Sequence, residues 1–331
     1  MKCLFGGVIT LGLFFGLGAR VSALTWTIET IDSTGYVGKY TSLAVDGSGR
    51  PRISYRDGGP NYDLKYAAYD GSTWQIEIVD AAGKVGYDTS LALDGSGYPH
   101  ISHYDGTNHD LKYAAYDGSA WHIETVDTAG DVGYYTSLAL DDSSQPRISY
   151  EDRTNLHLKY AAYDGSAWQI ETVDAASSVG YETSLALDGS GQPRISYYDC
   201  AKQDLKYAAY NGSAWQIQTV DTAGDVGRFM SLALDSSGYP HVSYYDSTND
   251  DLKYAAYDGF AWQIEIVDAA GDVGYDTSLA LDGNGFPQIS YFDETNGDLK
   301  YAWVPEPSTL LLLCMAAVGL LACAWRNRRR R

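Results

Sequence analysis

Cysteine, methionine and basic residues are scarce in this chain of 331 residues. It has four cysteines and three methionines, and its 23 lysines and arginines face 43 aspartates and glutamates, which makes the net charge −20. A chain this acidic does not neutralise phosphates, which excludes nucleic acid as a partner. Three of the cysteines lie in apolar runs near the two ends, so Cys200 stands alone between them and cannot form an internal disulfide there.

Motifs of catalysis and of metal binding are also missing. The sequence has no Cys-x-x-Cys or His-x-x-x-His pair of the kind that binds zinc, no glycine-rich phosphate loop and no Gly-x-Ser-x-Gly elbow. We therefore predict no catalytic residue, no metal ligand and no cofactor. The many carboxylates could supply oxygen ligands to Ca²⁺, but no spacing of the EF-hand type points to a defined calcium site.

The two ends of the chain have the pattern of export signals. Lys2, an apolar run from Leu4 to Ala19 and the small residues before position 24 predict a secretory signal peptide over 1–23. At the other end, a Pro-Glu-Pro motif precedes an uncharged stretch and a cluster of arginines. Residues 308–325 would form about 27 Å of helix, enough for a transmembrane helix. The arginines would then stay in the cytoplasm.

Pro305, Glu306 and Pro307, the apolar span and the basic tail together resemble the PEP-CTERM sorting signal. The resemblance implies a domain over 305–331 that is processed by an exosortase, a membrane enzyme that cleaves near the motif. It also implies export through the inner membrane of a Gram-negative-type bacterium, transient anchoring by the helix, and release to the cell surface or the exopolysaccharide matrix. A plain C-terminal anchor that is never cut is the alternative.

The middle of the chain, residues 24–304, repeats one unit six times. A Leu-Lys-Tyr tripeptide returns every 47 residues, beginning at Leu64, Leu111, Leu158, Leu205, Leu252 and Leu299. Each period holds four segments of five or six residues that are rich in tyrosine, isoleucine, threonine or tryptophan and are bounded by glycine-containing turns. These segments are typical of β-strands. Four antiparallel strands in a repeat of this length predict one blade of a β-propeller.

The order of the strands predicts how the propeller closes. The repeat begins with a lone fourth strand, Trp26 to Ile31, and ends with a blade that has only three strands. The first strand would complete the last blade and so remove two open sheet edges. The predicted fold is therefore an all-β, six-bladed β-propeller closed by its N-terminal strand, followed by a C-terminal transmembrane helix. A β-solenoid is the alternative, and it would leave the lone first strand unexplained.

Two charged residues recur in every blade. An aspartate ends each second strand and a lysine begins each third strand, as Asp105 and Lys112 do in the second blade. Because these strands are neighbours joined by a short loop, we predict an ion pair across the turn that fixes their register. A repeated pair of this kind favours a structural role over a catalytic one.

Ligand-binding residues are expected in the segments that vary between blades. The loops between the fourth strand of one blade and the first strand of the next place tyrosines beside carboxylates, a combination that suits a sugar. The candidate residues are Tyr87, Asp88, Tyr134, Tyr135, Tyr181, Glu182, Tyr275 and Asp276. Packing of these tyrosines between blades is the alternative.

In architecture and blade length, the predicted propeller is similar to the six-bladed fucose-binding lectins. Those proteins bind sugar with an arginine, a glutamate and an aromatic residue, and no such set can be assigned here from the sequence. We predict a non-enzymatic binding or scaffold module whose partner is an exopolysaccharide or a surface glycan. The alternatives are a matrix protein that binds nothing specifically and a propeller-type glycoside hydrolase or polysaccharide lyase, which the near-identity of the blades disfavours.

Overall fold

The computed structural model describes residues 29–304, and these contain strands but no helix. The first three blades comprise β1 (Val37–Val45), β2 (Pro51–Asp57), β3 (Leu64–Tyr69), β4 (Trp74–Asp80), β5 (Tyr87–Leu93), β6 (Pro99–Asp105), β7 (Asp110–Tyr116), β8 (Trp121–Asp127), β9 (Val132–Leu140), β10 (Pro146–Asp152), β11 (His157–Tyr163) and β12 (Trp168–Asp174). The last three comprise β13 (Val179–Leu187), β14 (Pro193–Asp199), β15 (Asp204–Tyr210), β16 (Trp215–Asp221), β17 (Val226–Leu234), β18 (Pro240–Asp246), β19 (Asp251–Tyr257), β20 (Trp262–Asp268), β21 (Val273–Leu281), β22 (Pro287–Asp293) and β23 (Asp298–Trp303).

The strands form six antiparallel sheets whose spatial order follows the sequence. Five sheets have four strands, and the last has three, β21, β22 and β23. The first strands of successive sheets contact each other, so these are the innermost strands and each sheet is one blade. The prediction of an all-β, six-bladed propeller is confirmed.

The blades are held together by apolar side chains that alternate along the strands. In β11, Leu158 and Tyr160 point towards the next blade, where they pack against Leu185 and Ile195 in one buried cluster. The alternation in the Leu-Lys-Tyr-Ala-Ala-Tyr segment explains this arrangement, because successive side chains of a strand lie on opposite faces. Equivalent clusters occur between the other neighbouring blades from the first to the sixth.

The predicted closing strand, Trp26 to Ile31, is described only at residues 29–31, and these are not part of a strand. The remainder lies outside the described residues, as do the signal peptide and the predicted transmembrane helix. Leu43 of the first blade is 63% exposed, whereas Leu91, its counterpart in the second blade, is 7% exposed. Leu299 of the sixth blade is 81% exposed. Within 29–304, no helix is long and apolar enough to span a bilayer.

The repeated lysines make a contact that the sequence did not indicate. Lys206 lies 3.7 Å from Asp199, the predicted partner in its own blade, but 2.5 Å from Asp174, which ends the fourth strand of the preceding blade. The same preference holds for all six lysines. The predicted pair across the turn is therefore the longer of two, and the lysine mainly joins neighbouring blades.

A tyrosine completes this inter-blade contact. The hydroxyl of Tyr197 donates a hydrogen bond of 2.7 Å to Asp174. Burial raises the pKa of Asp174, but the hydrogen bonds from Lys206 and Tyr197 outweigh burial and hold the pKa below its usual value. Five blades have tyrosine at this position, and the second blade has His103.

Candidate ligand-binding sites

The predicted tyrosine–carboxylate pairs lie at the beginning of the innermost strands rather than in loops, which corrects the sequence prediction. The second member of each pair has a positive φ, between 48° and 52° at Asp88, Tyr135, Glu182 and Asp276. The register of the first and second strands shifts at the same point, which is a β-bulge. Because of the bulge, the two members of a pair enter different surroundings.

The second members surround the axis of the propeller. Around the ring, aromatic and acidic residues alternate in the order Tyr40, Asp88, Tyr135, Glu182, Phe229 and Asp276. The first five of these line one cavity of about 270 Å³. The backbone N–H of Tyr135 donates to Asp88 at 3.0 Å, and that of Phe229 donates to Glu182. These carboxylates therefore fasten one inner strand to the next.

The first members contact the preceding blade instead. Tyr134 stacks on Tyr104 with ring centroids 4.0 Å apart, and Tyr275 stacks on Tyr245 at 4.4 Å. Four of the eight predicted residues line one cavity: Tyr87, Asp88, Tyr134 and Tyr135. The other four do not line it: Tyr181, Glu182, Tyr275 and Asp276. The inter-blade packing considered as an alternative occurs for Tyr134 and Tyr275.

This cavity has a volume of about 370 Å³, and we term it the blade 2–3 cavity. Besides the predicted residues, Tyr104, His109 and Arg153 line its wall. The Tyr104 hydroxyl donates to Asp131 at 2.8 Å and lies 2.6 Å from Nδ1 of His109. These three wall residues were not predicted from the sequence. His109 and Arg153 differ from their counterparts in most other blades, and that departure from the repeat was the available signal.

A buried carboxylate lies beside the cavity. Glu151 is fully buried beside the Tyr181 hydroxyl, but neither carboxylate oxygen has a hydrogen-bond partner of good geometry among the described residues. Its nearest cation is Arg153, with Oε2 3.8 Å from Nε. Burial raises the pKa of Glu151 to about 7, although Arg153 lowers it and the neighbouring aspartates raise it further.

A different kind of site lies between blades on the opposite face of the propeller. A groove of about 690 Å³ separates the fourth and fifth blades and is lined by Arg194, Tyr207, Gln218 and Trp262, among others. The Trp262 ring meets Tyr207 edge-on at 5.4 Å, and its indole N–H donates to Gln218 at 3.2 Å. Trp262 is half-buried, so part of its ring remains accessible.

The residues of this groove recur at three other blade junctions. In each, a tryptophan meets a tyrosine of the preceding blade edge-on at 5.4 Å. The equivalent sets are Arg52, Tyr66, Glu77 and Trp121; His100, Tyr113, Glu124 and Trp168; and Arg147, Tyr160, Glu171 and Trp215. We term the four sites the inter-blade grooves. These grooves were not predicted from the sequence, because each combines residues of two repeats.

Metal binding finds no support in the described part of the chain. Among residues 29–304, no group of three or more histidine, cysteine, aspartate or glutamate side chains is arranged to hold a metal ion. The repeated carboxylates are instead bound to lysines, tyrosines and backbone N–H groups.

Solved structures share the propeller fold at low sequence identity. A protein of unknown function from Dyadobacter fermentans is 12% identical, with a TM-score of 0.57, over 82% of this chain and 95% of that one. The SapL1 lectin in complex with alpha methyl fucoside is 16% identical, with a TM-score of 0.56, over 81% and 94%. An ulvan lyase of polysaccharide lyase family PL25 is 13% identical, with a TM-score of 0.56, over 78% of each chain.

These likenesses establish the fold alone, and no curated protein matches the chain. The C-terminal residues are more specific, because the family model described as the PEP-CTERM protein-sorting motif matches residues 304–330. That motif implies export and a C-terminal membrane anchor before sorting. The chain thus carries a PEP-CTERM protein-sorting motif that follows a six-bladed β-propeller in the sequence.

Proposed function

We propose that this protein is an exported, non-enzymatic module that binds a polymeric glycan through its inter-blade grooves. The observation that carries the proposal is the repetition of one site at four blade junctions. A polymer with repeating sugar units can engage several similar sites at once, so weak individual contacts add up to strong overall binding. Sorting to the cell surface or the exopolysaccharide matrix would bring the propeller to such a polymer.

The chemistry of each groove suits a sugar. The accessible part of the tryptophan offers an apolar surface for the carbon–hydrogen face of a pyranose ring. In the groove between the first and second blades, Trp121 donates to one oxygen of Glu77, whose other oxygen can accept a hydrogen bond from a sugar hydroxyl. The neighbouring Arg52 is fixed by Asp46 at 2.8 Å, which gives the groove a rigid charged wall.

The solved lectin with alpha methyl fucoside supports this proposal only as an example of a propeller of this shape that binds a sugar. No part of its site is transferred to this chain. The grooves of the present protein are proposed from their own residues, and their sugar specificity is what the binding experiment determines.

An enzyme acting on glycans is the second candidate, and the residue that favours it is Glu151. A carboxyl group with a pKa near 7 is suited to act as a general acid or base. However, its side chain is fully buried. Glycoside hydrolysis also needs two carboxylates on either side of an accessible bond, about 5–10 Å apart. Burial of Glu151 therefore favours binding over catalysis.

The experiment compares binding and cleavage on the same glycans. The purified protein is applied to a glycan array and to polysaccharide from the producing bacterium. Phenylalanine replaces the groove tryptophans singly, as in Trp215→Phe, and then all four together. We expect saturable binding by the native protein, a small loss for each single variant, and a loss of at least about 100-fold for the fourfold variant. Trp303→Phe, outside the four grooves, is the matched control.

Two results would contradict the proposal. Binding that the fourfold variant retains would place the glycan elsewhere on the molecule. No binding to any glycan would leave a structural matrix protein or a protein-binding propeller. Light scattering of the polysaccharide after incubation tests the second candidate, because shortened polymer would identify an enzyme. Thermal melting of each variant separates loss of binding from loss of folding.

A further inference from the structure

Arg153 is a cation at a loop position that carries no positive charge in any other blade. The equivalent residues, identified by the same backbone hydrogen bond to a residue just before the first strand of their own blade, are Gly58, Gly106, Cys200, Ser247 and Glu294. Most arginines of the second strands are tied to aspartates, as Arg194 is to Asp188 at 2.6 Å. Arg153 makes no side-chain hydrogen bond to any residue in 29–304, and 39% of its side chain is exposed in the wall of the blade 2–3 cavity.

The guanidinium of Arg153 is nevertheless held in place. It lies over the ring of Tyr134 at 3.6 Å, and Tyr134 is in turn stacked on Tyr104. Tyr104 is fixed by its hydrogen bond to Asp131. On the Nε side, the buried carboxylate of Glu151 lies 3.8 Å away. A guanidinium fixed by its face and its Nε edge has two terminal nitrogens left to bind a ligand, the arrangement that recognises a carboxylate or a sulfate.

Glu151 departs from the repeat in the same blade as Arg153. At three other junctions a tyrosine occupies the place of Glu151 and donates its hydroxyl to an aspartate at the entry of the next blade, as Tyr198 does to Asp225 at 2.7 Å. In the third blade the tyrosine is replaced by Glu151 and the aspartate by Ser178. The hydrogen bond from tyrosine to aspartate is thereby lost, and the carboxyl group lies instead at Glu151, buried and facing Arg153.

The rest of the cavity suits a sugar rather than a free ion. Tyr40, Tyr87, Tyr134 and Tyr135 contribute aromatic surface, and Asp88 contributes a hydroxyl acceptor. A second guanidinium, that of the buried Arg56, lies 3.6 Å from the ring centroid of Tyr87, one of the tyrosines that line the cavity. A volume of about 370 Å³ is in the range of small-ligand pockets.

We propose that the blade 2–3 cavity binds an acidic sugar residue, whose carboxylate or sulfate group is held by Arg153. This site lies on the face opposite the inter-blade grooves, uses none of their residues and occurs once among residues 29–304. It shares with the proposed function only the idea that the partner is a glycan. An acidic exopolysaccharide would then be bound at both faces of the propeller, through different sugar residues of the polymer.

The test is calorimetric titration of the purified protein with three tetrasaccharides, one of galacturonic acid, one of sulfated galactose and one of neutral galactose. We expect one acidic tetrasaccharide per chain, whereas the grooves would bind up to four ligands. Arg153→Gln should weaken binding of the acidic sugar about 10- to 100-fold. Arg153→Lys should weaken it less, because it keeps the charge and loses the paired donors. Arg228→Gln, at an arginine already paired with Asp225, is the control.

The comparison of the acidic ligands decides between a carboxylate and a sulfate. Unchanged affinity in Arg153→Gln, equal binding of neutral galactose to this site, or equally strong binding of acetate or inorganic sulfate would overturn the proposal. The fourfold tryptophan variant separates the two sites, because it should keep the single acidic site while losing the grooves. Loss of the acidic site in that variant would also count against the proposal.

Discussion

Replacing Glu151 by glutamine should stabilise the protein, and the gain should depend on pH. The fully buried carboxyl has a pKa of about 7, compared with an ordinary value of 4.5. The native state therefore binds more protons than the unfolded state between these two values, and the carboxylate lowers stability as the pH rises through this window. A shift of about 2.5 pH units corresponds to about 3 kcal/mol at pH 8. Glutamine, which stays neutral, avoids this cost.

The measurement is urea unfolding of the native protein and of Glu151→Gln at pH 4.5, 6 and 8. We expect the two proteins to be about equally stable at pH 4.5 and the variant to be about 3 kcal/mol more stable at pH 8. The control is Glu294→Gln, at an exposed carboxylate in another blade, which should show no such pH-dependent difference.

Comparing two proteins at each pH removes the contributions of the other carboxylates, which titrate in both. A variant that is no more stable at pH 8 would show that Arg153, 3.8 Å from Glu151, compensates the buried charge in full. A gain of the same size at pH 4.5 and pH 8 would show that the effect arises from packing. Either result would refute the electrostatic reasoning.

Three further substitutions test the contacts between blades. Gly133→Ala should lower the free energy of unfolding by about 2–4 kcal/mol, because φ is +106° and the new Cβ would lie 2.8 Å from a backbone atom of the preceding blade. Gly165→Ala is the comparison, because Gly165 has open space around it, and it should cost about 1 kcal/mol. Thermal unfolding measures both. Lys159→Met leaves the buried carboxylates of Asp127 and Asp152 without a cation and should cost about 3–5 kcal/mol in urea unfolding. Lys300→Met should cost less, because Lys300 is partly exposed. His103→Tyr restores the hydroxyl found in the other blades and should stabilise by about 1 kcal/mol, with a larger gain below pH 6.5. That larger gain follows because burial lowers the pKa of His103 and keeps it neutral, while the unfolded chain takes up a proton. An unchanged free energy of unfolding would contradict each of these expectations.

The strands of each blade could be predicted from the sequence, because the features that define them lie close together in the chain. Strand alternation, the glycine turns and the 47-residue period all lie within one repeat, and they account for segments such as Leu158–Tyr163. The number of blades follows from counting. Residues 26–28, half of the predicted closing strand, lie outside the described residues, so closure by that strand stays a prediction.

The contacts between blades could not be predicted in the same way. Lys206 has a plausible partner seven residues away in Asp199, yet its closer partner is Asp174, 32 residues earlier in the chain. Sequence proximity favours the first choice, and only the packing of neighbouring blades shows the second. The inter-blade grooves have the same origin, since Trp121 and Glu77 are 44 residues apart.

The tyrosine–carboxylate residues were predicted to lie in loops, whereas the structure places them at the beginning of the innermost strands. The bulge that separates Tyr134 from Tyr135 depends on a positive φ at a residue that rarely adopts it, and no glycine or asparagine marks the position. The roles of Arg153 and Glu151 depend on burial, which one sequence does not reveal. Whether any of these residues binds a ligand is still a prediction.

The lysine bridge between blades gives the propeller a direction of assembly. Every buried lysine is neutralised by an aspartate that is synthesised earlier, since Asp174 precedes Lys206 and Asp32 precedes Lys65. A nascent blade emerging from the ribosome or the export channel therefore finds its counter-charge already present on the chain. The lysine of a new blade therefore does not depend on a later segment of the chain for its aspartate partner. The blades can be added one after another in the order in which they are synthesised.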